Sequence, residues 1–333
     1  MRDPAKRLQD LISPRQQRNW DWRAAANFVF GGAGGGLLLM TAFAAAAGAG
    51  PVPTRVGTVL GLLLIASGLT CVWFEIGRPW RALNVYRHIA TSWMTREAWV
   101  AAAIFPLGLA TAFTTSSLLQ WLLGLLGLAF VYSQARILST NKGIPIWRHP
   151  RSVALVLTTG LAEGAGFMAC VLALAMPASG SGIIAADVIG DGRSATTSLA
   201  MIVSMALITL IVLRVMFWRV WVAALHLDGA PAGSLSALAA IESRFVLIGH
   251  ILPTIGIVLA IAISITMAPL GTPTVRMLML AAGLLTVAGG WLFKHTLVLR
   301  AAFTQGVALN RLPVRGSGPA GAGIKPGWRK LGS

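Results

Sequence analysis

Acidic side chains are scarce in this 333-residue chain. There are ten Asp and Glu against 27 Lys and Arg, and charged residues of both signs make up only 11% of the total. A water-soluble domain carries roughly a quarter of its residues charged, so a soluble globular fold is excluded. Cysteine is rarer still. Cys71 and Cys170 both fall inside apolar runs and form no motif. An iron–sulfur cluster needs about four thiolates, so the chain is expected to hold none of its own. The five histidines are His88, His149, His226, His250 and His295. A buried haem needs axial ligands on facing helices; His250 and His295 are the one conceivable pair, and the preferred reading is a chain without haem. No P-loop, zinc-ligand spacing or Ser/His/Asp order is present, which leaves no basis for ATP-driven or hydrolytic chemistry.

Apolar sequence is what the chain has in abundance: 56% of residues are hydrophobic and the mean hydropathy is +0.74. The apolar residues gather in runs of about 20, the length a helix needs to cross a hydrocarbon layer ~30 Å thick. A membrane barrel would show short alternating segments instead. The pattern predicts an all-α polytopic membrane protein with eight transmembrane helices, near 24–48, 54–75, 96–114, 117–138, 151–176, 196–222, 245–268 and 273–296. A basic juxtamembrane lead (1–23) precedes this anchor domain (24–300), and a basic Gly/Pro-rich tail (301–333) follows it. The run AAAAGAG at 44–50 imitates a signal-cleavage site, but the apolar run before it is long for a signal core, and the first span is expected to be retained. Residues 223–243 are partly apolar and are expected to lie on the membrane surface.

Orientation follows from the basic residues. All but three of the 27 (Arg55, Arg193 and Arg276) fall on one side of the predicted topology, counting Arg214 with the loop after span 6 and Lys294 with the end of span 8. The positive-inside rule places that side, with both termini, in the cytoplasm. Anionic lipid and topogenesis account for most of the net charge of +17. The charges are split over loops between spans, which argues against nucleic acid as a partner.

Three carboxylates stand out. Glu97, in TSWMTREAW, sits where span 3 begins. With Thr95 as a cap it would occupy the first helical turn, where the helix dipole favours a negative charge; alternatively it exchanges protons at the edge of a quinone pocket. Glu75 ends span 2, and Arg78 or Arg81 could pair with Glu75 or Glu97 in an interfacial ion cluster. Glu163 lies mid-span in GLAEGAGF, where a carboxylate costs ~2.5 kcal/mol or more on insertion scales, and must be neutral, paired or wetted. Lys294 is expected to snorkel to the interface. The glycines of FGGAGGGL (30–37) permit close helix approach or the seating of a flat ligand.

The patterns IGRPWRALN and SWMTREAW between spans 2 and 3, with the Gly31–Gly36 run, resemble the membrane anchor subunit of dimethyl sulfoxide reductase (DmsC) and its relatives. The matching positions are Gly77, Pro79, Arg81, Ala82, Asn84, Ser92, Met94, Thr95 and Glu97. The elements IPIWRHP (144–150) and LRAAFTQGVALNRLPVRG (299–316) resemble a phenylacetyl-CoA:acceptor oxidoreductase-type subgroup. The resemblance implies an eight-helix, haem-free subunit of the bacterial inner membrane. It would anchor a molybdopterin catalytic subunit and a four-cluster ferredoxin-like iron–sulfur subunit, and exchange electrons with menaquinone or ubiquinone. It carries the family's quinol-binding glutamate over to Glu97, with Arg96, Arg78, Arg81, Glu75 and Glu163 as further candidates around the quinone. A family histidine before the turn is replaced here by Glu75. In the familiar reductase the catalytic subunits are periplasmic, whereas the basic residues of this chain put the Glu97 loop in the cytoplasm. Rival readings are a secondary transporter using Glu163, which would show inverted repeats, and a passive anchor without quinone chemistry. A green fluorescent protein fused to the carboxyl end should fluoresce and an alkaline phosphatase fusion there should be inactive; the reverse pair of results overturns the orientation.

Overall fold

A computed structural model describes residues 13–76, 79–114, 116–175, 192–266 and 272–306, and among them the chain is helical with no strand beyond an isolated Gln16–Phe303 bridge. In chain order the long helices are α1 (Trp22–Ala46), α2 (Pro51–Glu75), α3 (Trp93–Phe113), α4 (Ser117–Ser139), α5 (Arg151–Ala175), α6 (Gly192–Leu227), α7 (Ala232–Thr266) and α8 (Pro273–Arg300). Seven of them are long and apolar enough to cross a membrane; α3 falls outside that set. It has 21 residues and carries Arg96 and Glu97 near its start and Pro106 inside. The predicted surface segment 223–243 is helical. It forms the end of α6, a short turn and the start of α7, continuous with those two helices. Asp187 and Asp191 of the Gly/Ser-rich 177–195 loop, and the tail from 307 onward, lie outside the described residues.

The bundle has two centres. In α1 and α5 the most apolar stretch is 83% buried, against 28–50% in the other five candidate spans. The reason is in the sequence: both helices are rich in glycine and alanine, and small residues let backbones approach where lipid supplies no hydrophobic drive. Gly34, Gly35 and Gly36 of α1 meet the backbones of Gly61 on α2, Gly127 on α4 and Gly160 on α5, respectively. Close packing, the first of the two expectations for the glycine run, holds at these three positions. α5 in turn packs on α6 and α8, and α7 packs on α8.

The two ends of the described chain meet. Gln17 donates its backbone N–H to the Ala302 carbonyl at 2.8 Å, and Thr304 donates to the Arg15 carbonyl at 2.7 Å. Beneath them the Trp20 ring stacks on Trp147 at 4.9 Å, and Trp147 Nε1 donates to the Leu297 carbonyl at 2.8 Å. A Cβ at Gly164 would overlap the α1 backbone at Gly36 and Leu37, so Gly164→Ala should lower stability in detergent by about 1–3 kcal/mol, measured by thermal unfolding; unchanged melting would contradict this α1–α5 contact.

Candidate functional site

Ser92, not Thr95, caps α3: its hydroxyl accepts from the Thr95 backbone N–H at 3.4 Å. A serine in extended backbone geometry is a favoured N-cap. Glu97 is therefore the fifth residue of the helix, one turn deeper than the sequence placed it, and it faces the bundle with only 6% exposure. Its Oε1 accepts from Asn27 Nδ2 of α1 at 3.4 Å. The Gln134 amide of α4 lies near enough to act on the same carboxyl. Gln134 Nε2 also donates to the Asn27 carbonyl at 3.0 Å, which holds the three side chains together. Among the described residues no Lys or Arg pairs with Glu97. This carboxyl can take up or release a proton without breaking an ion pair.

Arg96 turns away from Glu97. It donates to the Ile89 and Ala90 carbonyls at 3.0 and 2.8 Å, and its guanidinium lies 4.3 Å from the centre of the Trp93 ring. It thus closes the loop before α3. Glu75 faces Asp21 and Arg23 at the start of α1. Arg23 holds the Asp21 carboxyl below the usual carboxylate range through their 2.7 Å pair, and it donates to the Phe74 carbonyl at 2.6 Å. Arg78 lies outside the described residues, as does the side chain of Arg81.

A second polar cluster lies deeper. Glu163 on α5 is fully buried and pairs with Lys294 on α8 at 2.5 Å; Lys294 is 1% exposed. Arg214 on α6, also fully buried, acts electrostatically on both. Its Nε donates to His250 Nε2 at 3.2 Å, one terminal nitrogen donates to the Thr286 carbonyl at 3.1 Å, and the other to the Gly249 carbonyl. His250 Nδ1 contacts the Phe245 carbonyl at 3.0 Å, so both ring nitrogens are engaged within the protein, while His295 is exposed and does not face it. The expectation for Lys294 is corrected here: a carboxylate within reach in the same bundle outcompetes the interface. Arg214 is likewise a buried residue in the middle of α6 and not part of a loop.

Glycines make room for these ionic groups. A Cβ at Gly290 would overlap the Glu163 carboxylate, one at Gly32 would overlap Lys294 Nζ, and one at Gly249 would crowd the Arg214 guanidinium at 3.1 Å. Three π-helical turns mark the same region: Asn27–Gly31, Leu247–Ile251 and Thr296–Arg300. Such turns appear frequently at functional sites. Asn27, Gln134, Arg214 and Lys294 were not singled out from the sequence as site residues. Their signal was present: each is a polar residue within or at the end of a long apolar run. Two cavities open elsewhere. One, of about 30 Å³, is lined by Ala200, Ser204 and Met279; the other, of about 190 Å³, by Arg148, His149 and Asp228.

No protein-family profile matches the chain. It is similar to a sulfite dehydrogenase subunit from Allochromatium vinosum, at 34% identity over 131 residues, covering 33% of this chain and 39% of the relative. The chain thus matches about two fifths of that relative's length.

Removing one partner of a buried ion pair leaves an uncompensated charge, at a cost of about 3–5 kcal/mol. Lys294→Met should therefore lower the melting temperature in detergent more than the double change Glu163→Gln with Lys294→Gln; equal losses would show that the two groups are not paired.

Proposed function

We propose that the chain is the quinone-reactive membrane anchor of a molybdopterin iron–sulfur oxidoreductase of the bacterial inner membrane, with Glu97 as the group that exchanges a proton with the ring. The observation that carries this reading is the Glu97 site: a buried carboxyl bonded by the neutral Asn27 amide, with the Gln134 amide beside it and no described cation against it. Beside it Asn27 Oδ1 is buried without a partner among the described residues, and it faces Gly68 of α2. A carboxyl and an orphaned amide oxygen suit the hydroxyl groups of a quinol, both being acceptors. The ring supplies the two-electron chemistry. The protein's residues hold it, orient a hydroxyl and take or give the proton at the Glu97 carboxyl.

Three further observations support the reading. The relative named above is a subunit of a sulfite dehydrogenase, a redox enzyme. The motif around Glu97 resembles that of quinol-binding anchors. The pairing of residues 15–17 with 302–304 calls for an even number of membrane crossings, which supports counting α3 as the eighth span. A ferredoxin-like iron–sulfur subunit would dock on the basic end, and the molybdopterin subunit beyond it. The transporter reading loses ground because Glu163 is engaged by Lys294.

Glu97→Gln keeps the shape and the hydrogen-bonding capacity of the side chain and removes the proton. The complex should assemble normally, while turnover with a short-chain quinone falls by roughly a hundredfold or more. Unchanged quinone kinetics in an assembled Glu97→Gln complex would remove this assignment.

A further inference from the structure

The Glu97 site and the ion pair beneath it share a residue. Gln134 donates its amide nitrogen to the carbonyl of Asn27, whose side chain holds Glu97. Its amide oxygen borders the space above Gly32, where a Cβ would lie 3.3 Å from it. Lys294 Nζ borders the same space. The missing side chain at residue 32 thus lets the carbonyl of Gln134 and the ammonium of Lys294 both approach the same point on α1. Below, two cations, Lys294 and Arg214, share one carboxylate, Glu163. Arg214 is fixed by three hydrogen bonds, whereas among the described residues Lys294 is tied only to Glu163, and it has a flexible four-carbon stem. Glu163 Oε1 is buried with no partner among the described residues.

We propose that Lys294 is an internal proton donor that reloads Glu97 during quinone reduction, with Gln134 as the positioning residue between them. The proposal rests on the quinone reading for the event that empties Glu97. In reduction the ring takes two electrons from the iron–sulfur partner and two protons, one of which leaves the Glu97 carboxyl as its O–H bond breaks. The Lys294 ammonium then swings from Glu163 toward the Gln134 oxygen. Its N–H bond breaks and the O–H bond on Glu97 re-forms, directly or across one water, giving a neutral amine and a neutral carboxyl. The cluster left behind is balanced, Arg214 against Glu163, whereas before transfer it carried one surplus positive charge. Lys294 recovers its proton from water before the next turnover. The ring's second proton comes from water.

The test uses the whole complex, with short-chain ubiquinone and menaquinone analogues as probes. Two variants interrupt the route. Gln134→Leu leaves every charge in place, and the double change Glu163→Gln with Lys294→Gln removes the pair without leaving an odd charge. In both, KM for the quinone should hold while kcat falls roughly tenfold or more. The solvent deuterium isotope effect on kcat should rise, and added small amines should restore part of the rate in the double variant. A second readout needs no quinone. The infrared carboxyl band that Glu97→Gln removes, followed through a pH titration of the quinone-stripped complex, should shift its midpoint in the double variant. Unchanged kcat, isotope effect and band midpoint in the assembled variants would overturn the proposal while leaving Glu97→Gln to judge the quinone reading by itself. If the double variant fails to assemble, Lys294→Arg, which keeps the charge but does not release its proton, decides by the same three readouts.

Discussion

The ion pair between Glu163 and Lys294 is the constraint from which the interior of this bundle follows. A carboxylate in the middle of an apolar helix is tolerable only when a partner is brought to it, and here the partner comes from the last helix. That requirement draws α8 against α5, and the glycines at 32 and 290 are the accommodations it demands. Arg214 adds a second cation, and its three hydrogen bonds draw α6 toward the π-helical turn of α7 and toward α8. Buried ion pairs are not in general more stabilising than well-packed apolar residues. What this one contributes is register: the arrangement of α5, α6, α7 and α8 that brings Lys294 and Arg214 to Glu163 is a narrow one.

The two acids of the interior show how environment separates chemical roles. Glu163 is committed to a cation and sits among charges. Glu97, nearer the loop-bearing end, is held by amides alone. One arrangement sets a carboxylate against cations, and the other leaves a single carboxyl without a described cation beside it. Gln134 meets the Glu97 site through its nitrogen, on Asn27, and borders the Glu163 cluster with its oxygen, so the two acids share a polar layer that runs through α1, α3, α4, α5, α6 and α8.

Much of this was legible in the sequence. The helical class and the positions of the long helices follow from apolar runs of membrane length, and mid-span Glu163 announced itself as a residue in need of a partner. The depth of Glu97 was less legible, because Ser92 and Thr95 are both competent caps and only backbone geometry distinguishes them. The partner of Glu163 was hidden by a sound rule applied at the wrong place. A lysine near a helix end usually reaches for the interface, yet Lys294 lies where the π-helical turn Thr296–Arg300 extends α8 past it. The extra turn buries the amine by lengthening the helix. Arg214 was obscured in the same way, since α6 continues to Leu227 and leaves it far from any loop. Neutral amides such as Asn27 and Gln134 carry no periodic signal, and their meeting is a tertiary event.

The lacing of Arg15 and Gln17 to Ala302 and Thr304 has a temporal side. The Arg15 N–H finds its acceptor on Thr304, 289 positions later in the chain. During synthesis the first helix is inserted long before its clasp exists, so Trp20 and the loop bearing Trp147 have nothing to lock against until the ribosome has delivered the last helix. The finished seam therefore reports completion. A partner that recognises this end of the bundle would meet its surface only on chains translated past the eighth helix, and half-made chains would be passed over.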